Sequence, residues 1–420
     1  MLDDIFRTTK KIIPHRLFVF LQPAYHYALA CAGAIIYRFP SRTITVIAVT
    51  GTKGKTTTVE LLNAILEKNG AKTALSSTLR FKIGERSRPN MYKMSLPGRF
   101  FLQRFLRQAV NAGCSHAIVE ITSEAAKQYR HKFVALDALI FTNLAPEHIE
   151  SHGSFEKYAD AKLSIGRALV ASSKRPRIIV ANIDDPHGKN FLDLSVDIRA
   201  AYGVSNAPDA LVSPDTIVLS IGSSRTTIRQ GGAFNLMNIL AAITYARAAG
   251  ISDETIASGL SSVGMIRGRM EHVDEGQSFT VIVDYAHTPD SLKAAYGAYP
   301  DARKICVLGG TGGGRDTWKR PEMGTIADTF CSHIILTDED PYDEDPRCIV
   351  EGIEKGIKKT PCEIIMDRKA AITRACELAQ PNDVVYITGK GTDPYIMGKN
   401  GEKTPWDDAT VARDVLHTLL

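Results

Sequence analysis

The sequence predicts an α/β fold of two successive units behind a short helical N-terminal segment. Each unit is a mainly parallel sheet with covering helices, and the second is Rossmann-like. Three observations predict it. From Thr43 onward, apolar runs rich in valine and isoleucine alternate with polar or amphipathic stretches, the pattern of a parallel sheet. A glycine-rich turn joins the first of these runs to a helix. The alternation then resumes after Arg267–Glu271, where the chain changes unit. A length of 420 residues exceeds one ordinary core and agrees with this division into 1–42, 43–266 and 267–420.

In residues 1–42, Lys10, Lys11 and Arg16 precede LFVFLQPAYHYALACAGAIIYRF, and Arg38 and Arg42 close the segment. The run nearly suffices for a bilayer span, but Gln22, Pro23 and His26 interrupt it. Helices packed on the protein body, an interfacial membrane contact and a true span all remain open readings. TITVIAVTG then reads as a buried strand, and TTTVELLNAILEKNG as an amphipathic helix stopped by Gly70. HAIVEI, ALIFTNL and RIIVANI continue the first series; FTVIVDYAH, KICVLGG, HIILTDED, EIIMD and DVVYITGKG form the second.

With 44% hydrophobic and 23% charged residues the chain is a globular protein, not a disordered one. A net charge of +5 suits a small anionic substrate, but without basic clusters it gives no footing to nucleic acid. Seven scattered cysteines without metal-ligand spacing read as free thiols of a reducing compartment. The early apolar stretch lacks a small-residue cleavage site, so the expected location is cytoplasmic.

Gly51, Thr52, Lys53, Gly54, Lys55, Thr56 and Thr57 stand where the first strand turns into the helix. Glycines let backbone N–H groups approach phosphate oxygens, and the helix N-terminus favours negative charge. Lys55 is placed to reach the outer phosphates and the Thr56 hydroxyl to ligate Mg2+. Val49 stands where the general phosphate-loop pattern has its first glycine. Alone, this motif says only that a nucleotide binds.

GTKGKTTT resembles the phosphate loop of Mur ligases and folylpolyglutamate synthases, and further matches follow in order. They include EITSEA, FTNLAPEHIESHG, YADAK, NIDD, GAFNLMN, GRMEHV, VDYAHTPDSL, GGTGGGRDTWKRPEMG, ITGKGTD and PWDDATVAR, from about Thr43 to the C-terminus. The chain is similar above all to the Mur ligases that add the third residue of the peptidoglycan stem peptide. The resemblance implies an ADP-forming ligase that joins an amino acid to an acceptor carboxylate through an acyl phosphate, with ATP and Mg2+. In it, Lys55, Glu120, His148 and Lys162 are catalytic. Thr56 and Glu120 would hold one Mg2+, and His148 with carbamylated Lys162 a second. Asn143 belongs to the nucleotide site; Asn238 would meet adenine, while Arg269 and Asp284 would meet phosphates and ribose. His287 and Lys319 would line the junction of the units. Arg315, Asp338, Asp340, Tyr342, Gly389 and Asp393 would meet the amino acid. Asn235 is expected to cap the helix that follows it, and a monomer is expected.

Three departures matter. Some forty residues cannot build the family's N-terminal uridine-nucleotide domain, which turns attention to lipid-linked or short-peptide acceptors and to a membrane contact of residues 1–40. Asp340-Pro341-Tyr342 replaces the family's Asn-Pro-Arg, so the arginine that would clamp a distal carboxylate is absent. Asp338, Asp340 and Asp393 instead suggest a cationic side chain such as that of lysine or ornithine, unless they are solvated loop charges. Glu124 stands where the family has histidine. The competing functions are a folylpolyglutamate- or cyanophycin-type ligase and a non-ligating phosphate-loop regulatory protein.

Overall fold

The computed structural model describes residues 15–147, 149–314 and 316–419. It opens with α1 (His15–Ile36), a helix that runs through Pro23 instead of breaking there. A proline removes one backbone donor, and the remaining turns carry the helix past it. Ala30, Gly33 and Ala34 of α1 are buried, and Gly33 lies so close to the Phe100 ring that a Cβ would stand 2.8 Å from it. Of the three N-terminal readings, residues 15–36 follow packing on the body. No helix among the described residues is long and apolar enough to cross a membrane. Lys10 and Lys11 lie outside the described residues.

The first sheet contains β1 (Thr45–Thr50), β2 (Thr73–Ser76), β3 (Arg80–Ile83), β4 (Arg86–Pro89), β5 (His116–Glu120), β6 (Ala138–Phe141), β7 (Ile178–Asn182) and β8 (Ile198–Tyr202). Their order is β4-β3-β2-β5-β1-β6-β7-β8, with β3 antiparallel to both β2 and β4 and the other pairings parallel. One face is covered by α2 (Lys55–Lys68), joined later by α8 (Ala233–Ala248) and α9 (Asp253–Ser261). The other carries α3 (Phe101–Asn111), α4 (Ser123–Lys127), α6 (Phe155–Val170) and α7 (Gly188–Leu192), with the short α5 (Ile149–His152) before α6. A small antiparallel sheet of β9 (Leu211–Val212), β10 (Ile217–Ile221) and β11 (Ser224–Ile228), absent from the sequence expectation, follows β8.

The second series forms the sheet β12-β13-β17-β14-β15-β16, from β12 (Glu271–Val273), β13 (Thr280–Asp284), β14 (Lys304–Leu308), β15 (His333–Leu336), β16 (Cys362–Ile364) and β17 (Val384–Thr388). Only β12 runs antiparallel. Helices α10 (Pro289–Tyr296), α11 (Lys319–Phe330) and α12 (Pro346–Glu354) cover one face, and α13 (Arg368–Leu378) and α14 (Asp408–Leu419) the other. A ribbon of β18 (Tyr395–Met397) and β19 (Lys403–Pro405) leads into α14.

Cys306 and Cys331 form a disulfide, which corrects the reading of every cysteine as a free thiol. They are 25 residues apart in sequence, but α11 returns the chain to the edge of β14, where no local spacing could announce the pair. The other five cysteines are free.

Candidate functional site

In open parallel sheets ligands bind beyond the carboxyl ends of the strands, where the order reverses. Here that place is the end of β1, between β5 and β6. Register does the rest: Val49 pairs with Glu120 and Thr50 with Phe141, so Glu120 and Thr142-Asn143 flank Gly51.

Gly54 enters α2 at φ +81°, and a Cβ there would stand 2.0 Å from Asn238 Oδ1. Only glycine lets the turn lie against Asn238. The turn is braced by Asn143, whose Oδ1 accepts from Lys53 N–H at 2.8 Å and whose Nδ2 donates to Lys53 O at 3.1 Å. Asn143 thus acts on the shape of the loop. Lys55 Nζ lies over it, 3.0 Å from Gly51 O and 2.7 Å from Thr52 O, and burial lowers its pKa. Thr57 is buried in the first turn of α2.

Thr56 hydroxyl donates to Glu120 Oε2 at 3.0 Å and lies 2.9 Å from the Thr78 hydroxyl. Thr78 N–H also donates to Glu120, at 3.1 Å. A hydroxyl beside a buried carboxylate suits Mg2+, which takes few protein oxygens and completes its shell with water and phosphate.

Lys162 is 2% exposed because the α6 periodicity aligns it with buried Tyr158, Ile165, Gly166 and Leu169. Its Nζ donates to Gly51 O at 2.7 Å and lies 4.7 Å from the Tyr158 ring centroid. Burial, then the nearby Lys55 charge, holds its pKa well below the ordinary lysine value. His148 and Arg315 lie outside the described residues.

The second unit presents its own strand ends. Asp284, closing β13, accepts from Met270 N–H at 2.7 Å and Ala286 N–H at 2.8 Å, and burial raises its pKa. Arg269 lies over the Tyr285 ring and donates to Gly268 O at 2.9 Å. Asn235 and Asn238 lie inside α8, which begins at Ala233; this corrects the expectation that Asn235 caps it. Asn235 Nδ2 instead donates to Gly231 O, and Asn238 Nδ2 to Asn235 Oδ1.

Glu147, which the sequence did not single out, joins the two units. It lies 3.1 Å from Lys53 Nζ and 3.4 Å from His287 Nε2, with the Lys319 charge near. Burial lowers the His287 pKa to about 4 and the Lys319 pKa below the lysine value. Its position just before His148 in FTNLAPEHIESHG was the available signal. Glu124 is bonded to Ser151 and lies 3.3 Å from His152 Nε2, and the His152 bond is the largest cause of a pKa lowered to about 2.

Asp338, Asp340 and Asp393 cluster beyond β15 and β17, with Gly389 at φ +107° and Tyr342 at φ +53°. Asp340 is 4% exposed, so it is no solvated loop charge, and both Asp340 and Asp393 pair with Lys390 and Lys93. Asp338 is half-buried, which raises its pKa. Glu339, also unforeseen, packs against Gly389. A separate cleft of about 1080 Å³ between the units, walled by Arg80, Arg88, Arg267 and Trp406, shares none of the phosphate-loop residues.

The model of the Mur ligase middle domain matches residues 49–246, and that of the Mur ligase, glutamate ligase domain matches residues 268–391. A UDP-N-acetylmuramyl-tripeptide synthetase of Roseiflexus sp. (strain RS-1) is 38% identical, over 94% of this chain and 83% of the relative. A UDP-N-acetylmuramoyl-L-alanyl-D-glutamate--2,6-diaminopimelate ligase of Geobacillus kaustophilus is 36% identical, over 92% and 81%. The solved structure of a ligase with that same name superposes with a TM-score of 0.59 at 27% identity, covering 90% of this chain and 79% of that one. Mycobacterium tuberculosis folylpolyglutamate synthase with ADP reaches 0.66 at 16% identity, over 86% and 91%, a likeness of fold alone. With the phosphate loop, the strand-end carboxylate and both matched domains in one chain, the protein belongs to the Mur ligase family of ATP-dependent, ADP-forming amide ligases.

Proposed function

We propose that this chain adds an amino acid with a cationic side chain, lysine or a near analogue, to a carboxylate of a muramyl-peptide-like acceptor in the cytoplasm. The observation that carries the reading is the Thr56–Glu120 pair at 3.0 Å beside the glycine turn, with Lys55 and Lys162 over the same loop. Of the named relatives, the synthetase's name states no amino acid and the ligase's states 2,6-diaminopimelate, so the cationic preference rests on this chain's own Asp338, Asp340 and Asp393 and on Tyr342 in place of arginine.

In this reading residues 43–266 hold ATP and residues 267–420 bring the amino acid. Backbone N–H groups of residues 51–57 and the Lys55 ammonium hold the phosphates as an acceptor carboxylate oxygen attacks the γ-phosphorus and ADP departs. Thr56 and Glu120 would hold Mg2+, which neutralises phosphate charge when bound. The amine of the incoming amino acid attacks the acyl phosphate, phosphate leaves, and the amine gives up its proton. Lys162, favoured as a neutral amine by burial, has the form that reacts with CO2 to give a carbamate and a released proton, so that the neutral amine would become an anionic ligand. Asn238, Arg269 and Asp284 would meet base, phosphates and ribose.

Mass spectrometry of products from ATP, an amino-acid mixture and candidate UDP-sugar, lipid-linked or peptide acceptors tests the reading. A peptide extended by lysine, with phosphate release that needs both amine and acceptor, is expected. A γ-glutamyl product would move the chain to another ligase type, and phosphate release indifferent to amines would remove ligation altogether.

A further inference from the structure

Asp340 and Asp393 hold a cation that comes from the other unit. Lys93 Nζ lies 2.5 Å from Asp340 Oδ2 and 2.9 Å from Asp393 Oδ2. On the opposite oxygen, Asp340 Oδ1 accepts from Lys390 Nζ and from Met397 N–H, each at 2.8 Å. Lys390 belongs to the same loop as Asp393, whereas Lys93 stands 247 residues before Asp340, in the segment after β4. Beside them Glu339 is 2% exposed, and its Oε2 has no hydrogen-bond partner among the described residues. A buried carboxylate oxygen without a donor is a position that a ligand's N–H would satisfy.

The backbone holds Lys93 in place against its own preference. Its φ is +55°, in the left-handed region that residues with a Cβ seldom adopt. Asn90 Nδ2 donates to Ser77 O at 2.7 Å and to Met94 O at 2.9 Å, and Ser76 hydroxyl donates to Ser95 O at 2.7 Å. The next residue after Ser77 is Thr78, which touches Thr56 and Glu120. The loop is therefore braced on the wall of the phosphate site, and the four-carbon arm of Lys93 runs from that wall into the acids.

We propose that Lys93 is an internal stand-in for the side-chain ammonium of the incoming amino acid, filling the Asp340–Asp393 seat until a free cationic amino acid displaces it. The inference rests on the reading of this cluster as the amino-acid site. A neutral side chain entering the seat would leave two carboxylates sharing one cation, and an anionic one would add like charge; both are strongly unfavourable where water is excluded. A long alkylammonium exchanges one cation for another at little net cost. The seat selects by what it must give up as well as by what it gains. Apparent affinity for the amino acid falls by the fraction of molecules in which Lys93 has swung out.

The test measures amino-acid KM, and binding by calorimetry with a non-hydrolysable ATP analogue, for the wild type, Lys93→Met, Lys93→Gln, Lys93→Arg and Asp393→Asn. If Lys93 occupies the seat in roughly nine molecules of ten, Lys93→Met and Lys93→Gln tighten lysine by about tenfold. Norleucine should stay far weaker than lysine in every variant, and Lys93→Arg should stay near the wild type. Unchanged or weaker lysine binding in both charge-removing variants, with Asp393→Asn still raising the KM, would show that Lys93 only ties the units together and would overturn the proposal. An Asp393→Asn variant with unaltered lysine KM would instead remove the cluster from the amino-acid site. Binding of the ATP analogue serves as the check on folding, and the glutamine variant decides should the methionine one aggregate.

Discussion

Lys55 and His131 show how one side chain's surroundings set its behaviour. Among the described residues Lys55 has no acidic partner within bonding distance; its ammonium rests on two loop carbonyls. In the proposed mechanism that charge meets the transferred phosphate, so Lys55→Met is expected to lower amine-dependent phosphate release by about 10²–10³-fold, with an unchanged melting temperature. A loss below tenfold would take the ammonium out of the chemistry. His131, in the turn after α4, is fully buried, with Lys132 and Arg167 charges near, and its pKa is lowered from 6.5 to about 3, chiefly by burial. The unfolded chain therefore binds a proton that the folded one refuses. Its contribution is complete above about pH 6.5 and is lost as pH falls toward 3, at up to about 1.4 kcal/mol per pH unit. Denaturant titrations of His131→Leu between pH 7 and pH 4.5 should show a flatter acid limb than the wild type; parallel limbs would refute the assignment.

At the scale of elements, α13 and α14 are locked by one buried ion pair. Arg368 Nε and Nη2 each lie 2.8 Å from an Asp408 oxygen, Nη2 also donates to Thr388 O at 2.8 Å, and Nη1 to Asp338 O at 3.2 Å. Asp408 further accepts from Trp406 Nε1 and from Gly391 N–H. Removing one partner leaves the other charge buried, so Arg368→Leu should cost about 3–5 kcal/mol in urea unfolding. The double variant with Asp408→Leu should recover part of that, and strictly additive losses would mean that the pair is not coupled. This lock also shapes the acid cluster, because it fixes the backbone at Asp338 and Gly391. None of it was legible in the sequence. The phosphate loop was, because its glycines, Lys55 and Thr56 are consecutive and lie between a clear strand and helix. Glu120 and Lys162 entered through resemblance, and strand register and the α6 face bring them to the loop. Thr78, Glu147, Lys93 and Lys390 reach their partners across 22, 94, 247 and 50 residues, through register and loop paths that no local pattern carries. The strands β3, β4 and β9 announce nothing in the sequence because they have two to four residues and lack the apolar runs of the central strands.

The whole molecule is held to its task by groups that neither sheet supplies alone. Lys53, Lys55, Thr56 and Glu120 come from the first sheet's strand ends, and Arg269, Asp284 and His287 from the second, with Glu147 spanning the junction to His287. A nucleotide gripped by both sets favours the closed arrangement and stabilises both units at once. At a concentration one hundred times its dissociation constant, such a ligand adds about 2.7 kcal/mol. For units of this size that corresponds to about 5–10 °C in melting temperature. Calorimetric scans with a non-hydrolysable ATP analogue should therefore move every resolved unfolding transition upward together. Because Thr56 and Glu120 offer a hydroxyl and a carboxylate suited to Mg2+, a chelator should erase most of the shift, and Glu120→Gln should erase the same part without one. Should the analogue raise only the first transition, the second sheet would have no hold on the nucleotide. Should the chelator change nothing, Glu120 would be a structural partner of Thr56 and Thr78, and the metal would have to be sought elsewhere in the cleft.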